Sequence, residues 1–177
     1  MSLKIGDPAP SFSLSGVDSR THTLAGLADK SVLIIVFSCN HCPYVQAYED
    51  RLIAIQHEYE KRGVQIVAIN ANDDVNYPED SFEQMVTRSQ AKKFNFLYLR
   101  DASQSIAQAY GATHTPQLFV FDRDRHLRYT GKIDDNWQDP QRVTRQYVRD
   151  ALEALLSGQP PTEAHTHAIG CTIKWKS

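Results

Sequence analysis

Apolar residues along this chain follow two rhythms, short unbroken runs and a helical beat, and the two alternate. Val32 to Phe37 is a continuous run rich in β-branched residues, the pattern of a strand buried on both faces. After Pro43, the residues Val45, Tyr48, Leu52, Ile55 and Tyr59 fall on one helical face, and Gly63 ends that helix. Val64 to Ile69 predicts a second buried strand. Polar Asn70 to Asp80, with Pro78 inside it, predicts a loop, and Ser81 is the cap or a first-turn residue of a helix that reaches about Lys93. Phe96 to Leu99 reads as a strand and Ser103 to Tyr110 as a short helix closed by Gly111. Gln117 to Phe121 is a strand that turns through Asp122 to Arg125 into a hairpin partner, Leu127 to Ile133. Val143, Tyr147, Val148, Ala151, Leu152 and Leu155 give the segment from Gln141 to Leu156 the beat of an amphipathic helix, stopped by Gly158, Pro160 and Pro161. Ahead of all this, Lys4 to Leu14 and Thr21 to Leu24 read as extended pieces around a Gly16–Ser19 turn. Thr162 to Ser177 shows no period.

Strand, helix, strand, helix, then a hairpin and a closing helix predict an α/β fold with a central mixed sheet flanked by helices on both faces. The N-terminal extended pieces form a hairpin beside it. No repeat or linker splits the chain, so residues 1–177 are expected to form one domain, with 162–177 as a C-terminal tail.

Composition narrows the partners. The formal net charge is −2 and charged residues make up 23%, so no global field recruits nucleic acid or an anionic membrane surface. Arg123, Arg125 and Arg128 alternate with Asp122 and Asp124 and read as a solvated turn. The longest apolar run, Val32 to Phe37, is far shorter than the roughly 20 residues a bilayer demands. Met1 to Pro10 lacks an apolar stretch of signal-peptide type, so cytoplasmic residence is expected. No Gly-rich phosphate loop follows any strand, and no organic cofactor is expected.

Three cysteines are too few, and odd in number, for a disulfide scaffold. Two of them form Cys39-Asn40-His41-Cys42, between a buried strand and a helix. A thiol there meets unpaired backbone N–H groups and the positive end of the helix dipole, which favour thiolate. Cys39 is expected to be that nucleophile, and Cys42, one turn on, to resolve the mixed disulfide. Pro43 suits the first turn of a helix. Asn40 and His41 tune the pair; a protonated His41 favours the Cys39 thiolate. A C-x-x-C is also half of many zinc sites, but no second one follows.

Further motifs surround the dithiol. Asp7-Pro8-Ala9-Pro10-x-Phe12-x-Leu14, the strand into Cys39-x-x-Cys42, and Thr113-His114-Thr115-Pro116 leading into Leu118-Phe119-Val120-Phe121-Asp122 resemble the thioredoxin-like redoxins. Asn40-His41-Cys42-Pro43-Tyr44, Tyr77-Pro78-Glu79-Asp80-Ser81, Gly131-x-Ile133-Asp134-Asp135 and Gly170-Cys171-x-Ile173-Lys174-Trp175 are similar to the peroxiredoxin-like branch grouped with alkyl hydroperoxide reductase/thiol-specific antioxidant (AhpC/TSA) proteins. The resemblance implies a thioredoxin fold in which Pro116 follows a cis bond and faces the dithiol, with Thr115 offering backbone groups to a substrate chain. It implies an antioxidant or redox-homeostasis enzyme acting on a protein disulfide or dithiol, with a thioredoxin- or glutathione-type thiol reductant. In peroxiredoxins a Thr precedes the peroxide-reactive Cys-Pro by three residues and an Arg steadies the peroxide. Here those positions hold Cys39 and Pro116, which favours thiol–disulfide exchange. Hydroperoxide reduction with Cys42 as the attacking thiol is the alternative. The buried acid that thioredoxins carry before the first active cysteine is replaced by Leu33, leaving His41, His114 or water to accept the proton.

Cys171 is the third thiol. It serves either as a small buried hydrophobe, with Ile173 and Trp175 pinning the tail, or as a partner that folds back to form a disulfide with Cys39 or Cys42. A different class is metal carriage, in which Cys39, Cys42, Cys171 and His165 or His167 would suit zinc or copper(I). A third is an interaction module with an idle dithiol.

Overall fold

Seven strands form the main sheet in a computed structural model that describes residues 2–177. They are β1 (Ser13–Gly16), β2 (Thr21–Thr23), β3 (Val32–Ser38), β4 (Val64–Asn70), β5 (Leu97–Arg100), β7 (Gln117–Phe121) and β8 (Leu127–Gly131). Between β5 and β7 lies the short β6 (His114–Thr115). The sheet order is β2-β1-β5-β4-β3-β7-β8. β3, β4 and β5 run parallel, while β7, β8, β1 and β2 are added antiparallel, so the sheet is mixed.

The unbroken apolar run of β3 is explained by burial on both faces. Val32, Ile34 and Val36 point into one core, and Leu33, Ile35 and Phe37 into the other. On the first face lie α1 (Pro43–Tyr59), α2 (Phe82–Lys92) and α4 (Tyr147–Leu156), through Tyr48, Leu52, Ile55, Met85, Val148 and Leu152. On the second lie α3 (Ser105–Tyr110), through Ala107 and Tyr110, and the N-terminal Phe12 and Leu27. Each fully buried aliphatic side chain contributes about 1.5–3 kcal/mol relative to exposure. This is the thioredoxin fold, with helices on both faces as the alternation predicts.

Two segments depart from the sequence reading. The last helix starts at Tyr147 instead of Gln141, because the groups before it are committed to Asp135. Thr144 donates its backbone N–H (2.9 Å) and its hydroxyl to that carboxylate, while Asp135 N–H donates to the Arg145 carbonyl. The tail, aperiodic in sequence, is ordered against the body. Thr166 and Ala164 bond the backbone of Thr130, and β9 (Cys171–Thr172) pairs antiparallel with β6 in the register His114↔Thr172 and Thr115↔Cys171. Two residues per strand are too few to show a period.

Candidate active site

β3 ends at Ser38 and α1 begins at Pro43, so Cys39 to Cys42 form the bend between them. Pro43 takes the first helical position and Cys42, with extended backbone at φ −71° and ψ 126°, is the N-cap. Proline costs nothing there, since that N–H has no helical partner.

This boundary moves the helix-start effect from the first cysteine to the second. The Cys39 thiol beside it, then Cys171 and the Val45 backbone, outweigh burial and bring the Cys42 thiol down to about 4. Cys39 is pushed up by its hydrogen bond to Cys42, by burial and by the negative charge of Asp80. The charges around the pair thus lower Cys42 and raise Cys39, the opposite of the order expected from the sequence, because Cys39 faces the Asp80 carboxylate.

Thr115 spans the pair. Its peptide bond to Pro116 is cis, as the resemblance implies. Its hydroxyl lies 3.6 Å from Cys39 Sγ, and its carbonyl oxygen 3.4 Å from Cys42 Sγ. Cys171, across the β6–β9 ladder, puts its sulfur 2.7 Å from Cys42 Sγ. That is closer than packing contact and longer than the bond of about 2.05 Å. The tail thus brings its thiol to Cys42 and not to solvent alone.

Behind the sulfurs lies a polar network centred on Asp80, whose carboxylate is fully buried. It accepts the Asn40 backbone N–H at 2.7 Å, Asn72 Nδ2 at 2.9 Å and Asn70 Nδ2 at 3.3 Å. His41 Nδ1 stands 2.7 Å from its other oxygen, at ion-pair distance but without an aligned hydrogen bond, and the imidazole stacks on Tyr77. Asn40 donates to the Glu79 carbonyl at 2.9 Å and accepts the Tyr98 hydroxyl at 2.7 Å, so it ties the bend to the core. Cys39 Sγ, a ring nitrogen of His41 and a carboxylate oxygen of Asp80 lie within 4.8 Å of one another. Asp80 was absent from the predicted site. The Tyr77–Ser81 motif signalled its segment, but only the fold carries it to a bend 40 positions away. Leu33 is fully buried and apolar, and Asp80 supplies the buried acid from a different element.

The tail histidines do not join the three sulfurs. Among the described residues, Cys39, His41 and Asp80 are the one group of three such donors within reach of each other. His165 instead pairs with Thr130 on β8 and packs edge-on against His167. The quartet required for metal carriage by Cys39, Cys42, Cys171 and a tail histidine is not assembled.

Comparison with known proteins places this arrangement. The Redoxin family model matches residues 4–147. An uncharacterized conserved protein from Geobacillus kaustophilus, of known crystal structure, is 40% identical, with a TM-score of 0.93 over 98% of this chain and 93% of its own. A hypothetical protein from Sinorhizobium meliloti 1021 is 36% identical, with a TM-score of 0.94 over 100% and 97%. The thiol-disulfide oxidoreductase ResA of Geobacillus thermodenitrificans is 27% identical over 128 residues, covering 71% of this chain and 68% of its own.

Proposed function

This chain belongs to the redoxin family, and on that footing we propose that it is a thiol–disulfide oxidoreductase cycling between the Cys39/Cys42 dithiol and its disulfide. The observation that carries this reading is an N-cap thiol, Cys42, packed in one buried cluster with Cys39, with Thr115 beside both.

The Cys42 thiolate attacks one sulfur of a substrate disulfide; that S–S bond breaks and the other substrate sulfur leaves as thiolate. Cys39 then gives its proton to the His41–Asp80 pair and attacks Cys42 Sγ. The Cys42–substrate bond breaks, the second substrate thiolate departs, and Cys39–Cys42 is left oxidised. A dithiol protein or glutathione-type thiol runs the steps backward. Placing the base beside Cys39 suits its role, because that is the sulfur whose proton must be removed. Pro43 holds the helix start, and Thr115 presents hydroxyl and carbonyl groups to the reacting sulfurs.

The acidity of Cys42, directly before Pro43, favours one second reading, thiol-dependent peroxide reduction through a Cys42 sulfenic acid. Single-turnover reactions with insulin disulfide and with a hydroperoxide separate the two, run in a Cys171→Ser background so that only the pair reports. Cys42→Ser is expected to abolish attack, and Cys39→Ser to accumulate a mixed disulfide on Cys42. A mixed disulfide on Cys39 in the Cys42→Ser protein would reverse the order of the sulfurs. Peroxide consumption without disulfide exchange would transfer the assignment to the second reading.

A further inference from the structure

The two thiols of the pair are buried, Cys39 at 2% exposed and Cys42 at 0%, whereas Cys171 is only half-buried. What covers Cys42 is the tail. β9 occupies the open edge of β6 at Thr115, the residue whose carbonyl and hydroxyl face the pair. Gly170 lies so close to that edge that a Cβ there would drive into the Thr115 carbonyl.

The tail is fastened on both sides of Cys171. Upstream, Thr166 N–H donates to the Thr130 carbonyl at 3.0 Å, and its hydroxyl accepts Lys132 N–H at 3.0 Å. Gly131, at φ +142°, has no side chain to obstruct that approach. Downstream, Ile173 is buried in the second core and its N–H donates to the Thr113 carbonyl at 2.9 Å. Lys174 N–H donates to Asn72 Oδ1 at 2.9 Å, and its carbonyl accepts from Gln104 Nε2 at 3.0 Å. These contacts flank Cys171 and hold its sulfur against Cys42.

The geometry points to Cys171 as the third redox position of this protein: it takes the disulfide over from the buried pair as Cys42–Cys171 and presents it to an external dithiol at the surface. This rests on the reading of Cys39 and Cys42 as a redox pair. The transfer balances. Starting from oxidised Cys39–Cys42, the Cys171 thiol loses its proton and attacks Cys42 Sγ. The Cys42–Cys171 bond forms, the Cys39–Cys42 bond breaks, and Cys39 departs with the electron pair and takes up a proton. A dithiol reductant then attacks Sγ of Cys171, the least buried of the three cysteines, and Cys42 leaves as thiolate. The electrons come from the reductant, whose own two sulfurs close into a disulfide.

The charges assist both steps. Burial and the neighbouring Cys42 sulfur push the Cys171 thiol up to about 11 in the reduced protein. Once Cys42 is locked in a disulfide its charge is gone, and the attraction of Lys174 remains. In the second step the departing sulfur is the acidic one, and low-pKa thiols leave fastest.

The test is to oxidise the protein with a stoichiometric amount of glutathione disulfide, quench with acid and alkylating agent, and map the linkages by mass spectrometry. The wild-type protein is expected to yield both Cys39–Cys42 and Cys42–Cys171 peptides. Cys39→Ser is expected to close Cys42–Cys171, while Cys39→Ser with Cys171→Ser retains glutathione on Cys42. Gly170→Ala keeps all three thiols but pushes β9 off Thr115; it is expected to lose the Cys42–Cys171 linkage and keep Cys39–Cys42. Reduction of the oxidised protein by thioredoxin is expected to slow at least tenfold in both Cys171→Ser and Gly170→Ala. Exclusive Cys39–Cys42 linkage in the wild type, with unchanged reduction rates in both variants, would overturn the relay and leave the pair's function intact. Absence of any Cys39–Cys42 linkage would instead remove the reading on which the relay stands.

Discussion

Consider titrating the potential of the Cys39–Cys42 couple against pH in the Cys171→Ser protein, where a hydroxyl preserves the neighbouring donor but no third thiol reacts. With the Cys42 thiol at about 4, the reduced pair between pH 5 and 8 holds one thiolate and one thiol, so reduction takes up one proton for two electrons. For a two-electron couple each proton contributes about 30 mV per pH unit. The slope over this range is therefore expected near 30 mV per pH unit, against about 59 mV for a pair that takes up two protons. The same acidity stabilises the reduced form at pH 7 by at most about 4 kcal/mol, three pH units above the midpoint at about 1.4 kcal/mol each. That makes the disulfide more oxidising by up to about 90 mV than a pair with ordinary thiols. The assay is equilibration with lipoic acid or dithiothreitol couples of known ratio, followed by acid quench and a mass-shift alkylation gel. A slope that stays near 59 mV per pH unit down to pH 5 would refute the placement of the thiolate, and with it the helix-start argument.

Three further outcomes follow from the buried carboxylates. Asp80→Asn keeps the shape but turns an NH2 toward the Asn40, Asn70 and Asn72 donors; urea denaturation is expected to show a loss of about 2–4 kcal/mol. In the same variant the pH midpoint for Cys39 alkylation should fall, because the carboxylate that opposes its thiolate is gone. Arg51 holds the buried Asp134 through two hydrogen bonds of 2.9 and 3.1 Å and also donates to the carbonyls of Asn136 and Trp137. Arg51→Ala leaves that buried carboxylate without its cation, held only by the Tyr48 hydroxyl and the Asn136 N–H, and is expected to cost about 3 kcal/mol, with Arg51→Lys recovering only part, since an ammonium lacks the planar fork.

How much of this was readable before folding differs from element to element. Gln117–Phe121 is a strand at the predicted bounds, because an apolar run between turn residues has one cheap way to bury itself. Ser81 caps α2 as expected, its hydroxyl accepting Gln84 N–H at 3.2 Å, because capping is settled by neighbours in the chain. Val143 kept the apolar beat yet lies outside α4, since periodicity does not reveal that Asp135 captures the backbone ahead of that helix. The cysteine pair and Thr115 were visible as motifs; the charges that separate the two sulfurs were not, because they depend on a carboxylate brought in from a distant turn.

Local chemistry in the chain was enough to establish the alternation of strands and helices, a pair of cysteines between β3 and α1, and a proline-flanked segment beside it. Folding alone decided that Asp80 lies behind Cys39, that Cys171 stands against Cys42, and that no tail histidine joins them. The reason is range: burial and capping act over a few neighbouring residues, whereas a thiol's acidity and partner depend on charges and donors that are adjacent only in space.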